Sequence, residues 1–89
     1  MNSYNKKIYL SIFNRYILAQ VNSEDLYKMI NHVYGAMITH KPKCEPHLSY
    51  ILNKIDLDHM SITREGDSSK YFASSLSELL FLFEKDMTI

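Results

Sequence analysis

Residues 7–21 read KIYLSIFNRYILAQV, and the way this stretch divides decides the fold. Ile8, Leu10 and Ile12 alternate with Tyr9 and Ser11, and Ile17, Ala19 and Val21 alternate with Leu18 and Gln20. A period of two places each apolar set on one face of a strand. The polar pair Asn14-Arg15 interrupts the alternation. Asn tolerates the left-handed backbone of a tight turn, so Phe13-Asn14-Arg15 is predicted to be the tip of a β-hairpin. A single bent strand is the competing reading.

Residues 21–40, VNSEDLYKMINHVYGAMITH, read as a helix. Asn22 or Ser23 is positioned to cap it, and Glu24 and Asp25 sit favourably against the positive end of the helix dipole. Leu26, Met29, Ile30, Val33, Met37 and Ile38 recur at steps of three and four and are predicted to form its core face. Gly35 costs about 1 kcal/mol relative to Ala inside a helix, which suggests a strand packing close to it. Pro42 and Pro46 break the helix. Residues 47–55 form the next predicted strand, with Leu48, Tyr50 and Leu52 on one face, and DLDH turns the chain. Met60 and Ile62 alternate with Ser61 and Thr63 in a further strand. REGDSS is a hairpin loop in which Gly66 supplies a positive φ, and KYFAS returns as a short edge strand. The final segment opens with Ser75-x-x-Glu78, a helix start signature. The order is β-β-α-β-β-β-α over residues 1–89 as one α+β domain: a small antiparallel sheet of four to five strands with two helices on one face.

Composition narrows the function classes. The chain has 89 residues, 46 % hydrophobic and 22 % charged, with a net charge of zero and no Lys/Arg cluster, so nucleic acid is a poor partner. The one cysteine, Cys44, cannot form an internal disulfide, in keeping with a reducing cytoplasm. The opening MNSYNKKIYLSIF lacks a small-residue cleavage site and its apolar run is broken at Asn14-Arg15, so it does not read as a signal peptide. No window approaches the roughly 18 apolar residues of a membrane span.

Several residues invite a chemical reading. His40-x3-Cys44-x2-His47, with Glu45 or His59 as a fourth ligand, has zinc-type side chains, but no standard zinc spacing. Cys44 beside a histidine would make a nucleophile and base, yet nothing marks an oxyanion site or a third orienting group. His32 and His59 read as surface residues, and Asp56, Asp58 and Asp67 as turn residues that bond locally. The seven tyrosines read as the border of a small core, with interface use as the alternative. With only Gly35 and Gly66 the chain has no phosphate-cradling loop. No catalytic, cofactor-binding or metal-ligating residue is therefore assigned.

The last stretch, SSLSELLFLFEKDMTI, carries apolar residues nearly all round a helix. Leu76, Leu79, Leu80 and Phe83 share the stripe expected in the core. Phe81, Leu82 and Met87 are the candidate interaction surface, through which a protein partner docks or the chain forms a homo-oligomer. The same stretch resembles the segment that precedes the nucleotide-binding core of HPr serine kinase/phosphorylase-like proteins, where a helix of the type Leu-x-x-Leu-Phe-x-x-Glu-Lys-Asp leads toward the core. Similar features occur upstream, in the strand Tyr16 to Val21, the helix ending HVYGAM, the strand LSYIL and the glycine-bearing hairpin from Arg64 to Asp67. The resemblance implies an N-terminal accessory region that works with a kinase domain absent from this chain. The phosphate loop, its lysine and the catalytic carboxylates of that family fall beyond the matching region, so no ATP-binding or catalytic residue carries over. A stand-alone protein-binding module, such as an antitoxin or immunity protein, is the alternative.

Overall fold

The structure, a computed structural model, describes residues 4–12, 14–40, 44–67 and 70–88. Phe13 of the hairpin tip, Pro42 of the helix-breaking segment and Ser68 and Ser69 of the second hairpin loop lie outside them.

Strands β1 (Lys6–Ile12) and β2 (Arg15–Val21) pair antiparallel, with Leu10 opposite Ile17 and Ile12 opposite Arg15. Asn14 takes the left-handed conformation, φ 62°, so the hairpin prevails over the bent strand. Helix α1 (Glu24–Tyr34) is capped by Ser23, whose Oγ accepts from the Leu26 N–H at 3.2 Å. Asn22 has a different task. Its amide brackets the backbone of Lys54, donating to the carbonyl and accepting from the N–H, and so extends the line of β2 beyond its last pair. Next to it Lys54 forms an ion pair with Asp25 of α1.

The chain then returns as β3 (Leu48–Asp56), which lies parallel to β2 with Ala19 opposite Tyr50. A helix between two neighbouring strands carries the chain back to the starting end of the sheet, which allows the parallel alignment. Strands β4 (His59–Arg64) and β5 (Lys70–Ala73) follow as antiparallel neighbours. The sheet order is β1-β2-β3-β4-β5, and helix α2 (Leu76–Met87) closes the fold. The element order and the α+β class follow the sequence reading. The sheet itself is mixed, through the single β2–β3 pairing.

Both helices cover the same face. Leu26, Ile30 and Tyr34 of α1 and Leu79, Phe83 and Met87 of α2 join Ile8, Leu10, Ile17, Ala19, Val21, Tyr50, Leu52, Met60 and Ile62 in one buried cluster. The predicted face of the first helix needs correction. Val33 is exposed because it lies on the flank of α1 beside the buried stripe of Leu26, Ile30 and Tyr34, and Met37 because α1 gives way to a 3₁₀ turn at Gly35–Met37. Ile38 leaves the helix altogether and bridges Leu10, while the Thr39 N–H donates to the Tyr9 carbonyl at 2.9 Å. Gly35 does not admit a strand: a Cβ there would meet nothing within 4 Å. Gly66 does hold the positive φ expected of it, 86°.

Candidate functional site

The terminal helix is fastened to the sheet along its last two turns. At its start, the Glu78 N–H donates to Ser75 Oγ at 3.1 Å, and Glu78 Oε1 accepts from the Ser74 N–H at 2.9 Å, a capping box shifted by one residue at its return bond. Further along, the Phe83 ring lies fully buried and meets Tyr34 and Tyr50 edge-to-face, at centroid distances of 5.8 and 5.2 Å. The two tyrosine hydroxyls then reach past it to carboxylates of the same helix. Tyr34 donates to Glu84 Oε1 at 2.9 Å and Tyr50 to Asp86 Oδ2 at 2.6 Å. Arg64 adds its Nη1 to the same Asp86 oxygen at 3.4 Å and its Nη2 to Asp67 at 3.0 Å. Arg15 reaches the carbonyl of Met87 at 3.3 Å. Burial, and then the hydrogen-bonded carboxylate, raise the pKa of both phenols, so they stay protonated donors far above neutral pH. These groups hold the helix in place.

On this fixed helix the three candidate surface residues fare differently. Phe81 is 63 % exposed and faces away from the sheet. Leu82 is half-buried and lines a hollow of about 100 Å³ with Tyr71, Lys85 and Asp86. Met87 does not belong to the surface. It is only 4 % exposed, since it falls one turn after Phe83 on the core stripe. Leu76 and Leu80, expected in the core, are partly buried and pack against it, and the fully buried positions are Leu79 and Phe83.

Sequence reasoning missed the other exposed apolar side chains. Tyr71 and Phe72 of β5 are exposed, as are Ile55 at the end of β3 and Leu57 in the turn after it. Ile55 and Phe72 line a second hollow, of about 370 Å³, with Asp56, His59, Met60 and Ala73. The signal was present in the adjacent aromatics of KYFA, since neighbours in a strand point to opposite faces and α2 covers only one.

The loop residues with metal-type side chains are not brought together: among the described residues no three of His, Cys, Asp and Glu form a group. Cys44, Glu45 and His40 are exposed. His47 is engaged with Tyr16, accepting the Tyr16 N–H at Nδ1 (3.0 Å) and stacking on its ring at 6.3 Å. Asp56 bonds locally as expected of a turn residue, accepting the Asp58 N–H at 2.9 Å. It also holds His59 Nδ1 at 2.7 Å, which raises the histidine pKa and lowers that of the carboxyl. His32 is exposed at the end of α1. No described helix is long and apolar enough to cross a membrane.

Fold and surface together define a small α+β domain with a mixed sheet, one covered face and an apolar flank formed by α2 and β5. Compared with protein-family models, characterised proteins and solved structures, the chain matches none.

Proposed function

We propose that this chain is a non-catalytic accessory domain, of the kind that precedes the nucleotide-binding core in HPr-kinase-like proteins, and that it binds or positions a kinase core or its protein or peptide substrate in the cytoplasm. The observation that carries the reading is Phe81, a large apolar side chain that stands 63 % exposed on a helix whose last turns are held by Phe83, Tyr34, Tyr50 and Arg64. A surface held this firmly loses little conformational freedom on docking, and exposed aromatics are favoured anchors at interfaces. Leu82 adds to the same surface from the flank of the helix.

A stand-alone binding module of the antitoxin or immunity type is the second reading. It is favoured by the self-sufficient core beneath α2, where Leu79, Phe83 and Met87 are covered by the chain's own sheet.

Both readings take the chain as unable to bind nucleotide by itself, because its two glycines cannot build a phosphate-cradling loop. Titration calorimetry with Mg-ATP is expected to yield no binding heat from this chain alone. A micromolar site would overturn the accessory reading and return the chain to the enzymes.

A further inference from the structure

The β5 end of the sheet differs from the β1 end. Along β1 the outer side is partly occupied, because Ile38 bridges Leu10 and Thr39 bonds to Tyr9. Strand β5 is the last in the sheet order, and among the described residues no strand or bridge pairs with its outer side. In an antiparallel pair alternate residues turn their backbone groups outward, so Lys70–Ala73 present roughly two N–H and two C=O groups to any chain laid beside them. One hollow lies on the helix side of β5, bounded by Tyr71, Leu82, Lys85 and Asp86, and a second lies across the end of β3, β4 and β5, bounded by Ile55, Asp56, His59, Met60, Phe72 and Ala73.

We infer that the β5 edge is a docking site for an extended peptide, which would add a sixth strand to the sheet. Successive side chains of an added strand point to opposite faces, so those on the helix side would meet the hollow at Tyr71 and Leu82 and those on the other face would pack on exposed Phe72, while the backbone pairs with β5. Tyr71 and Leu82 on one face of the edge and Phe72 on the other are apolar, so the alternating residues are apolar. The charges beside the edge indicate what else the peptide carries. Lys70 lies over the Phe72 ring at 5.7 Å, and neither Lys70 nor Lys85 forms an ion pair among the described residues, whereas Asp86 and Asp56 are already engaged by Arg64 and His59. A carboxylate-bearing peptide meets these lysines. A second copy of this chain fits less well, because β5 would bring Lys70 of its own and Tyr71 and Phe72, which already wall the hollows. The inference rests on the docking role proposed above and names the chemistry of one partner.

The test is selection from a displayed library of random decapeptides against the full chain. Enriched peptides should alternate apolar residues and carry Asp or Glu. Their binding should weaken with salt, shift the amide resonances of Lys70–Ala73 and fail when alternate peptide nitrogens are methylated. Phe72→Asp, at a residue 69 % exposed, should leave the fold intact and weaken binding by at least about tenfold. A selection that enriches nothing, peptides that bind Phe72→Asp as well as the parent chain, shifts confined to α2 around Phe81, or a dimer paired through β5 that peptides do not disrupt would each overturn the inference. These outcomes are separable from the accessory reading. A chain that takes up a kinase core through Phe81 but ignores peptides loses only the edge site, and one that binds peptides but no core loses only the kinase connection.

Discussion

Phe83→Ala is expected to leave the chain largely unfolded near physiological temperature. Phe83 is fully buried, and both Tyr34 and Tyr50 pack their rings edge-on against it. Truncating a buried Phe to Ala costs about 3–5 kcal/mol in lost transfer energy and residual cavity. Domains are stable by only about 5–15 kcal/mol in total, and one of this length buries only about 60–65 % of its unfolded surface, which puts it toward the lower end. In a domain of this size each kcal/mol is worth roughly 4–8 °C in melting temperature, so a fall of roughly 12–40 °C is expected. Circular dichroism melting checks it. Phe81→Ala, two residues away on the exposed side, should stay within about 0.5 kcal/mol of the parent. Equal losses for the two variants would mean that α2 presents a different face to the sheet.

The second large effect is expected at Asp86, and it is asymmetric. Asp86→Ala removes the acceptor of the Tyr50 hydroxyl and one of the two carboxylates that hold Arg64. Tyr50 is fully buried, so its O–H is left without an acceptor beside the Arg64 guanidinium, which can only donate, a loss of about 1–3 kcal/mol. Tyr50→Phe deletes the same hydrogen bond from the other side. It leaves a partly exposed carboxylate that still faces Arg64, so its cost should be about 0.5–1.5 kcal/mol. Urea unfolding of the two variants measures the difference. A Tyr50→Phe variant at least as damaging as Asp86→Ala would show that the bond does not fasten the end of the helix.

Much of the architecture is legible in the sequence because alternation and capping are local signals. Ile8, Leu10 and Ile12 and their partners on β2 lie where a period of two puts them, and Asn14 and Gly66 hold the left-handed turns that their residue types favour. Ser75-x-x-Glu78 marks the start of α2 to the residue. The failures lie where distant contacts override local pattern. The run from Met29 to Ile38 continues a helical spacing, yet α1 ends at Tyr34 and a 3₁₀ turn delivers Ile38 to its partner Leu10. The parallel pairing of β2 and β3 depends on where the crossover sets the chain down, and no short window records that. The exposed apolar flank was partly readable for the same reason. Helix periodicity separates Phe81 from Phe83, but Met87 could be placed only by following the stripe one further turn. The exposure of Tyr71 and Phe72 depends on β5 being the last strand of the sheet, which no local window records. The hydroxyls of Tyr34 and Tyr50 meet Glu84 and Asp86 across 50 and 36 residues of sequence, a separation that leaves no trace in composition.

In the function proposed above, the outward side of α2, with Phe81 63 % exposed, docks a separate kinase core. The most direct measurement is size-exclusion chromatography with light scattering on the chain mixed with a purified phosphate-loop core of an HPr-kinase-like protein. The parent chain should co-elute with that protein. The Phe81→Glu/Leu82→Lys variant should keep its circular dichroism spectrum and cooperative melting but elute alone. A parent chain that never co-elutes, a folded double variant that remains in the complex, or a double variant that unfolds because both side chains belong to the core would contradict the claim.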